Sequence, residues 1–395
     1  MKILLVTQNF YPEIGSGANR LRNLYNQLSK YHQVDVLTTE PSYPNEKMYQ
    51  EQKFWYDARL NQSPDIKRLK MRTSKQSKSM AMRLLYYFEL GLKVRRTIRK
   101  KQADYDVLYV TTPNIFMPWA AFFGQRHTTA RVLEVRDLWP DSLVGIDKLK
   151  SVKFIFPILK VLEKRMYRVS DAIIINNEGF RSHIESLAPK VKQYYFPNAF
   201  NQEEIAFKNV TDDFKVIYTG NIGFAQSYEQ LLEVAAGLEK RGIYFNAVVY
   251  GMNAHNFFNY INEQDFTYVT AYHEKSREEC LEMIRTHNIQ LSLLKETETF
   301  LNVLPGKIID GIGCGVPVVT NLGGYANLLI NDNQVGYAKE KATTEDVLKA
   351  IEHIKHNHEL ERTLRENARE LVTREFMWEK NIVQLNQVLT EAAQH

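Results

Sequence analysis

The chain has 395 residues, 44% hydrophobic and 25% charged, which suits two or three folded domains and excludes a disordered chain, a collagen-like repeat or a coiled-coil rod. Its two cysteines, Cys280 and Cys314, are too few for a disulfide framework and lack metal-ligand spacing, so a reducing compartment is expected. The net charge of +5 conceals a division: residues 1–200 hold 33 Lys+Arg against 18 Asp+Glu, and residues 201–395 hold 18 against 28, so one half is expected to face an anionic partner, with a membrane leaflet and nucleic acid both open.

In chain order, MKILLVTQNF has one lysine and an apolar run too short for a secretory signal, and Lys2–Thr7 reads as a first strand. Further strands are expected at Val34–Thr39, Ile66–Met71, Val107–Thr111, Arg131–Val135, Ala172–Asn176 and Gln193–Phe196. Helix-period stretches lie between them, such as Ala18–Tyr31 with Leu21, Leu24, Tyr25 and Leu28 on one face. Strands restart at Lys215–Thr219, Asn246–Tyr250, Thr267–Thr270, Gln290–Leu294 and Val316–Thr320, and a last helix covers Trp378–Ala393. The longest mostly apolar stretch, Phe154–Leu162, is broken by Pro157 and Lys160 and is too short to span a bilayer. A soluble, cytoplasmic protein is expected. The alternation specifies an α/β protein with parallel sheets, and twelve strands point to two doubly wound domains that break near Pro197-Asn198.

Four motifs carry candidate chemistry. FYPEIGSGANR (10–20) lies at the turn from the first strand into the first helix. Gly15 and Gly17 let a ligand approach the backbone at a helix N-terminus that favours anions, with a plain tight turn as the simpler account. Arg20 stands where a dinucleotide fingerprint has its third glycine. YTGNIGFAQSYEQLLEVA (218–235) repeats the arrangement: Gly220 and Gly223 bracket Asn221, and Asn221 and Gln226 can donate amide hydrogen bonds to phosphate. An ordinary strand-to-helix loop is the alternative.

In PGKIIDGIGCGVPVV (305–319), Lys307 and Asp310 share one face near a helix start. A cation there can hold a diphosphate, and a carboxylate one turn later can accept from ribose hydroxyls; a surface ion pair is the alternative. Gly311, Gly313 and Gly315 end a helix before a strand, so close packing and a C-cap explain them. VLEVRDLWPDSL (132–143) puts Arg136, Asp137 and Trp139 at the C-terminal end of a strand, where ligands of parallel sheets lie.

Asp104-Tyr105-Asp106 has metal-like spacing but precedes a strand, on the wrong edge for ligands, and no HExxH, CxxC or GxSxG pattern occurs. Two basic stretches, 67–101 and 148–168, mix lysine and arginine with Met80, Met82, Leu84, Leu85, Tyr86, Tyr87 and Phe88, and with Phe154, Ile155 and Phe156. They suit a monotopic membrane interface, or a solvated face with its apolar side packed inward; nucleic acid lacks a recognised module to go with the charge.

In their order and spacing, FYPEIGSGANR, VRDLWPDSL, YFPNAF, YTGNIGFAQSYEQLLEVA, PGKIIDGIGCGVPVVTNLGGYANLL and FMWEK resemble glycosyltransferase family 4, with DLWPDS, YTGNIGxAQ and PGK most similar to the fucosamine-type transferases of bacterial O-antigen and capsule synthesis. The resemblance implies the GT-B fold, two facing Rossmann-like domains with a cleft between them: residues 1–196 plus a helix over 377–395 that crosses back, and residues 197–376, which bind the nucleotide sugar. It implies transfer, with retention, of a sugar such as an N-acetylated amino or deoxy sugar from a UDP-linked donor. The acceptor would be a lipid-linked saccharide at the inner face of the cell membrane.

No metal cofactor and no nucleic-acid partner are implied. Gly15, Gly17, Gly220, Asn221, Gln226, Asn302, Lys307 and Asp310 would bind donor, with Lys307 on the leaving diphosphate. Arg136 and Asp137 would join Lys307 in catalysis, and Glu13 and Arg20 would lie on the acceptor side. The family's paired glutamates fall at Asn302 and Asp310, and Arg136 stands where a histidine is usual. A nucleotide-sugar 2-epimerase of the same architecture and a non-catalytic nucleotide-sugar binding module remain as alternatives.

Overall fold

The computed structural model describes residues 1–43, 45–75, 80–101, 104–123, 129–143, 156–208, 213–295, 297 and 303–394. The chain divides into two units, Met1–Pro197 with Glu379–His395, and Asn198–Trp378.

The first unit is built on seven parallel strands: β1 (Lys2–Val6), β2 (Gln33–Thr39), β3 (Ile66–Leu69), β4 (Val107–Thr111), β5 (Ala130–Val135), β6 (Ala172–Ile175) and β7 (Gln193–Tyr195). Their order across the sheet is β3-β2-β1-β4-β5-β6-β7. β1, β4, β5 and β6 are buried along almost their whole length, as their continuous β-branched runs require when helices cover both faces. The first helix, Ser16–Leu28, starts two residues earlier than its apolar period suggests and buries Leu21, Leu24, Tyr25 and Leu28. The last helix, Trp378–Ala393, has the bounds expected from sequence, and from Glu379 onward it belongs to this unit.

The second unit has six parallel strands: β8 (Lys215–Asn221), β9 (Tyr244–Tyr250), β10 (Val269–Tyr272), β11 (Ile289–Ser292), β12 (Val318–Thr320) and β13 (Gly336–Ala338), in the order β10-β9-β8-β11-β12-β13. Alternation along β8 builds cores on both faces: Val216 and Tyr218 join one apolar cluster and Ile217 the other. The thirteenth strand is an addition to the twelve expected. Gly-Tyr-Ala carries no period of its own, and only its backbone pairing with β12 makes it a strand. In both units the order reverses beside the first strand, between β1 and β4 and between β8 and β11, and ligands of doubly wound sheets bind at the carboxyl ends there.

Candidate functional site

In the first unit, β5 hands on directly to Arg136 and Asp137. The Arg136 backbone N–H donates to Thr112 Oγ1 at 2.8 Å, just past the end of β4. Its guanidinium lies against Gly17, where a Cβ would fall 2.5 Å from Nη2, so the bare backbone accommodates this chain's own arginine. Burial lowers the Arg136 pKa, with Glu134, 4.0 Å away, opposing the shift, and Nε is buried without a hydrogen-bond partner among the described residues. Helix Ser16–Leu28 begins at Gly15 (φ 120°) with no side-chain cap. A guanidinium beside an uncapped helix N-terminus is an arrangement suited to an anion. Next to it, burial pushes the Asp137 carboxyl up to about 6, against hydrogen bonds from Ser142 and the Leu138 N–H and the charge of Arg136. That carboxyl can exchange a proton near neutral pH.

Glu13 and Arg20, expected on the acceptor side, are inside the unit. Arg20 is 1% exposed. Its Nε donates to Glu134 Oε1 at 2.5 Å, and Nη1 and Nη2 donate to the carbonyls of Pro197 and Phe196 at 2.7 Å each. Glu134 also accepts from the Tyr109 hydroxyl at 2.7 Å. The Glu13 carboxylate accepts from the Ser42 and Tyr43 N–H groups and pairs with Lys75 at 2.6 Å. Charged groups leave water only where partners meet them, and segments distant in sequence supply those partners here. Both residues are braces.

The spacing Asp104-Tyr105-Asp106 likewise serves structure: Asp106 accepts the Lys2 N–H at 2.7 Å and the Tyr105 hydroxyl donates to Asp35 at 2.5 Å. Among the described residues, Asp141, Glu163 and His183 are close enough to share a metal. The Lys160 ammonium already pairs with both carboxylates, at 2.8 and 2.5 Å.

In the second unit, the Lys307 ammonium lies 4.9 Å from the centre of the Tyr218 ring and 3.5 Å from where a Gly220 Cβ would be. Gly220 sits near the end of β8 with φ +111°, a conformation that favours glycine. Burial lowers the Lys307 pKa to about 8, partly offset by Asp310. Among the described residues no carboxylate forms an ion pair with it. Pro305 precedes the helix Gly306–Gly313 as its N-cap and supplies no side-chain cap. A lysine near such a helix start complements a diphosphate.

Asp310, one turn on, is paired with Arg277 (Nη1 to Oδ1, 2.9 Å), not with Lys307. Arg277, Glu204 and Phe200 form a group that local sequence does not reveal, although an arginine opening a helix already runs against the helix dipole. Gly313 packs against the Phe200 ring, as the close-packing reading expects. The Gln226 side-chain oxygen Oε1 accepts from the Gly223 N–H at 2.8 Å and braces the loop. The Asn221 carboxamide fills the space beside Gly223 and Gly251, with Oδ1 buried and unpartnered among the described residues. Asn302 lies outside the described residues.

The basic stretches divide. Arg68 donates to the Tyr11 carbonyl, Lys75 is buried against Glu13, and Lys93 pairs with Glu89. Lys78, Lys148, Lys150, Lys153, Phe154 and Ile155 lie outside the described residues. On the helix Met80–Lys101, Tyr86, Leu90, Val94 and Ile98 face inward at four-residue spacing. Met82, Leu85, Phe88 and Leu92 are 41–56% exposed, and Arg96, Arg99 and Lys100 are exposed beyond them. Helix Phe156–Arg168 exposes Ile158 and Val161 with Lys164, Arg165 and Arg168. Among the described residues no helix is long and apolar enough to cross a membrane.

Residues 15–199 match the family model for a glycosyl transferase 4-like domain, and residues 201–371 match that for glycosyl transferases group 1. The chain belongs to the glycosyltransferases. Its GT-B fold is shared with solved structures of low sequence identity. Sucrose-phosphate synthase from Thermosynechococcus elongatus is 15% identical over 99% of this chain and 98% of its own, with a TM-score of 0.74. Anabaena Alr3699/HepE, solved in complex with UDP and glucose, is 13% identical over 99% and 100%, with a TM-score of 0.71. WaaG, involved in lipopolysaccharide biosynthesis, is 12% identical over 94% and 95%, with a TM-score of 0.66. No curated protein matches the chain. In this glycosyltransferase, then, the Lys307 helix lies in the group 1 region, and Arg136 and Asp137 lie in the 4-like region.

Proposed function

We propose that this glycosyltransferase transfers a sugar, with retention at the anomeric carbon, from a UDP-linked donor to a lipid-linked saccharide at the cytoplasmic face of the membrane. An N-acetylated amino or deoxy sugar and surface polysaccharide synthesis, in capsule or O-antigen, fit the motif resemblance. The observation that carries the reading is Lys307: a half-buried ammonium at a helix start, beside the bare backbone of Gly220 and without a carboxylate pair among the described residues. Such a group is stabilised by an incoming anion. The HepE complexes with UDP and with UDP-glucose support UDP as the nucleotide.

In this reading Lys307 holds the diphosphate and Asp310 accepts from the ribose. Gly15 and Arg136 face the donor's phosphate or sugar, with Gly17 giving the Arg136 guanidinium its room, and Asp137 orients the sugar or the acceptor hydroxyl. The bond between the anomeric carbon and the phosphate oxygen breaks, its electron pair stays with the diphosphate, and Lys307 meets the charge that develops. The acceptor oxygen bonds to the anomeric carbon on the same face, and its proton passes to the departing phosphate. No metal enters this scheme, because Lys307 supplies the positive charge. The exposed apolar and basic residues of helices Met80–Lys101 and Phe156–Arg168 support docking on an anionic leaflet.

The test begins with thermal shift against a panel of UDP sugars, since a ligand that binds only the folded state raises its melting temperature. A shift that disappears in Lys307→Ala supports the donor assignment, and an undiminished shift overturns it. Donor turnover only when a lipid-linked acceptor is added supports transfer. Interconversion of the sugar without acceptor would make the protein an epimerase, and binding without turnover a binding module.

A further inference from the structure

Arg277 opens the helix Arg277–Arg285, with Ser276 as its cap and Glu278 and Glu279 beside it in the first turn. A cation at this end meets the positive pole of the helix dipole, where acidic residues are favoured. Three groups outside the helix hold it there. Nε donates to Glu204 Oε1 at 2.8 Å, Nη1 donates to Asp310 Oδ1 at 2.9 Å, and the guanidinium lies over the Phe200 ring, 5.1 Å from its centre. Burial opposes its charge, but the carboxylates of Asp310 and Glu204 outweigh burial and hold its pKa above the ordinary guanidinium value.

The same ring of Phe200 presses on the helix that carries Asp310. A Cβ on Gly313 would fall 2.1 Å from two of its carbons, so the helix and the ring touch through a position that has no side chain. Phe200 is itself tied down, its N–H donating to the Phe376 carbonyl at 2.8 Å and its own carbonyl accepting from Trp378 at 2.9 Å. Ring, guanidinium and helix therefore form one fixed group. Among the described residues, the hydrogen bond of the Asp310 carboxylate runs through Oδ1, and Oδ2 remains available.

We infer that Arg277 is a positioning residue for nucleotide recognition: by holding Oδ1 of Asp310 it aims Oδ2 at the donor's ribose hydroxyls. The inference rests on the ribose assignment made above. An aspartate on a helix otherwise samples several side-chain rotamers, and each directs its oxygens differently. A planar guanidinium anchored by a second carboxylate removes that freedom before the ligand arrives, which lowers the ordering cost of binding. Lysine, a point charge on a flexible stem, reproduces the attraction but not the aim.

The experiment is calorimetry with UDP, 2′-deoxy-UDP and 3′-deoxy-UDP on the full chain, alongside melting temperatures. Wild type should prefer UDP over at least one deoxy analogue by about tenfold, the loss expected for a hydrogen bond to a charged group. Asp310→Ala and Arg277→Gln should each reduce that preference to below about twofold. The double variant should match Asp310→Ala alone, because removing the aiming group has no effect once the aimed group is gone. Arg277→Lys, which keeps the charge without the planar aim, should also fall below about twofold, and it decides the matter alone if Arg277→Gln does not fold.

A merely structural arginine would lower the melting temperature of its variants and leave the preference for UDP intact. That result, in a protein where Asp310→Ala has lost the preference, overturns the positioning role and spares the ribose assignment. A preference unchanged in Asp310→Ala, or absent in wild type, overturns both.

Discussion

Lys307 and Asp137 are held away from their ordinary charge equilibria by the same force, burial, and it acts on them in opposite directions. The Lys307 pKa is about 8 in the fold against 10.5 for the free side chain. Its ammonium therefore weakens the fold below pH 8, and that penalty is relieved as pH rises from 8 towards 10.5. Lys307→Met should keep or raise the melting temperature at pH 7 while cutting turnover by a factor on the order of 10² to 10³. In wild type, donor affinity should fall as pH rises through 8, because the diphosphate needs the ammonium. Full turnover in the methionine variant would remove Lys307 from the mechanism. Asp137 has a folded pKa of about 6 against 3.8, so its ionised form weakens the fold above pH 6 and the penalty fades as pH falls from 6 towards 3.8. Asp137→Asn should then gain about 1–3 kcal/mol in denaturant unfolding at pH 8 and nothing at pH 4. Equal gains at both pH values would mean that the carboxyl is not held near 6.

At the scale of elements, Arg20 fastens the first helix to the chain that follows β7, through the carbonyls of Phe196 and Pro197, and to β5 through Glu134. Phe196 also lies under its guanidinium, 5.0 Å from the ring centre. Removing the arginine leaves Glu134 buried with its principal cation gone. Arg20→Met should cost about 3–5 kcal/mol of stability, the magnitude for breaking a buried pair from one side. Chemical denaturation measures this directly. A stable Arg20→Met protein with weakened acceptor binding would restore the acceptor-side role. The helix had shown its apolar face plainly in sequence, with Leu21, Leu24, Tyr25 and Leu28, but the inward turn of Arg20 is invisible in that period.

At the scale of the whole molecule, the charge division between residues 1–200 and 201–395 coincides with an exposed apolar row in the first unit. Each lysine or arginine near an anionic leaflet contributes roughly 1 kcal/mol, within a Debye length of the surface. Exposed Met82, Leu85, Phe88 and Leu92 add apolar burial that salt does not screen. Wild type should sediment with anionic liposomes at low salt, and binding should weaken as salt rises. Changing Arg96, Arg99 and Lys100 to glutamate should abolish it while UDP binding persists. Wild-type protein that ignores anionic liposomes at low salt would show the face to be a solvated surface.

Repetition made the architecture legible in sequence. β-branched runs at strand spacing and apolar residues at helical spacing are local properties, so twelve strands and the bounds of Trp378–Ala393 could be read without contacts. The placement of Gly220 at a strand end and of Lys307 near a helix start was legible for a related reason, since both positions are set by their immediate neighbours. Charged residues carry theirs elsewhere. Arg20 meets Glu134 across 114 positions, Lys75 meets Glu13 across 62, and Arg277 meets Asp310 across 33. Whether a charge faces water, a ligand or a buried partner depends on what the fold brings within about 3 Å of it, since an unpaired charge is too costly to bury. The sequence by itself determined the two sheets and the ends of the strands where chemistry would lie; only the tertiary structure decided which of the charges there were already spent on holding the fold together.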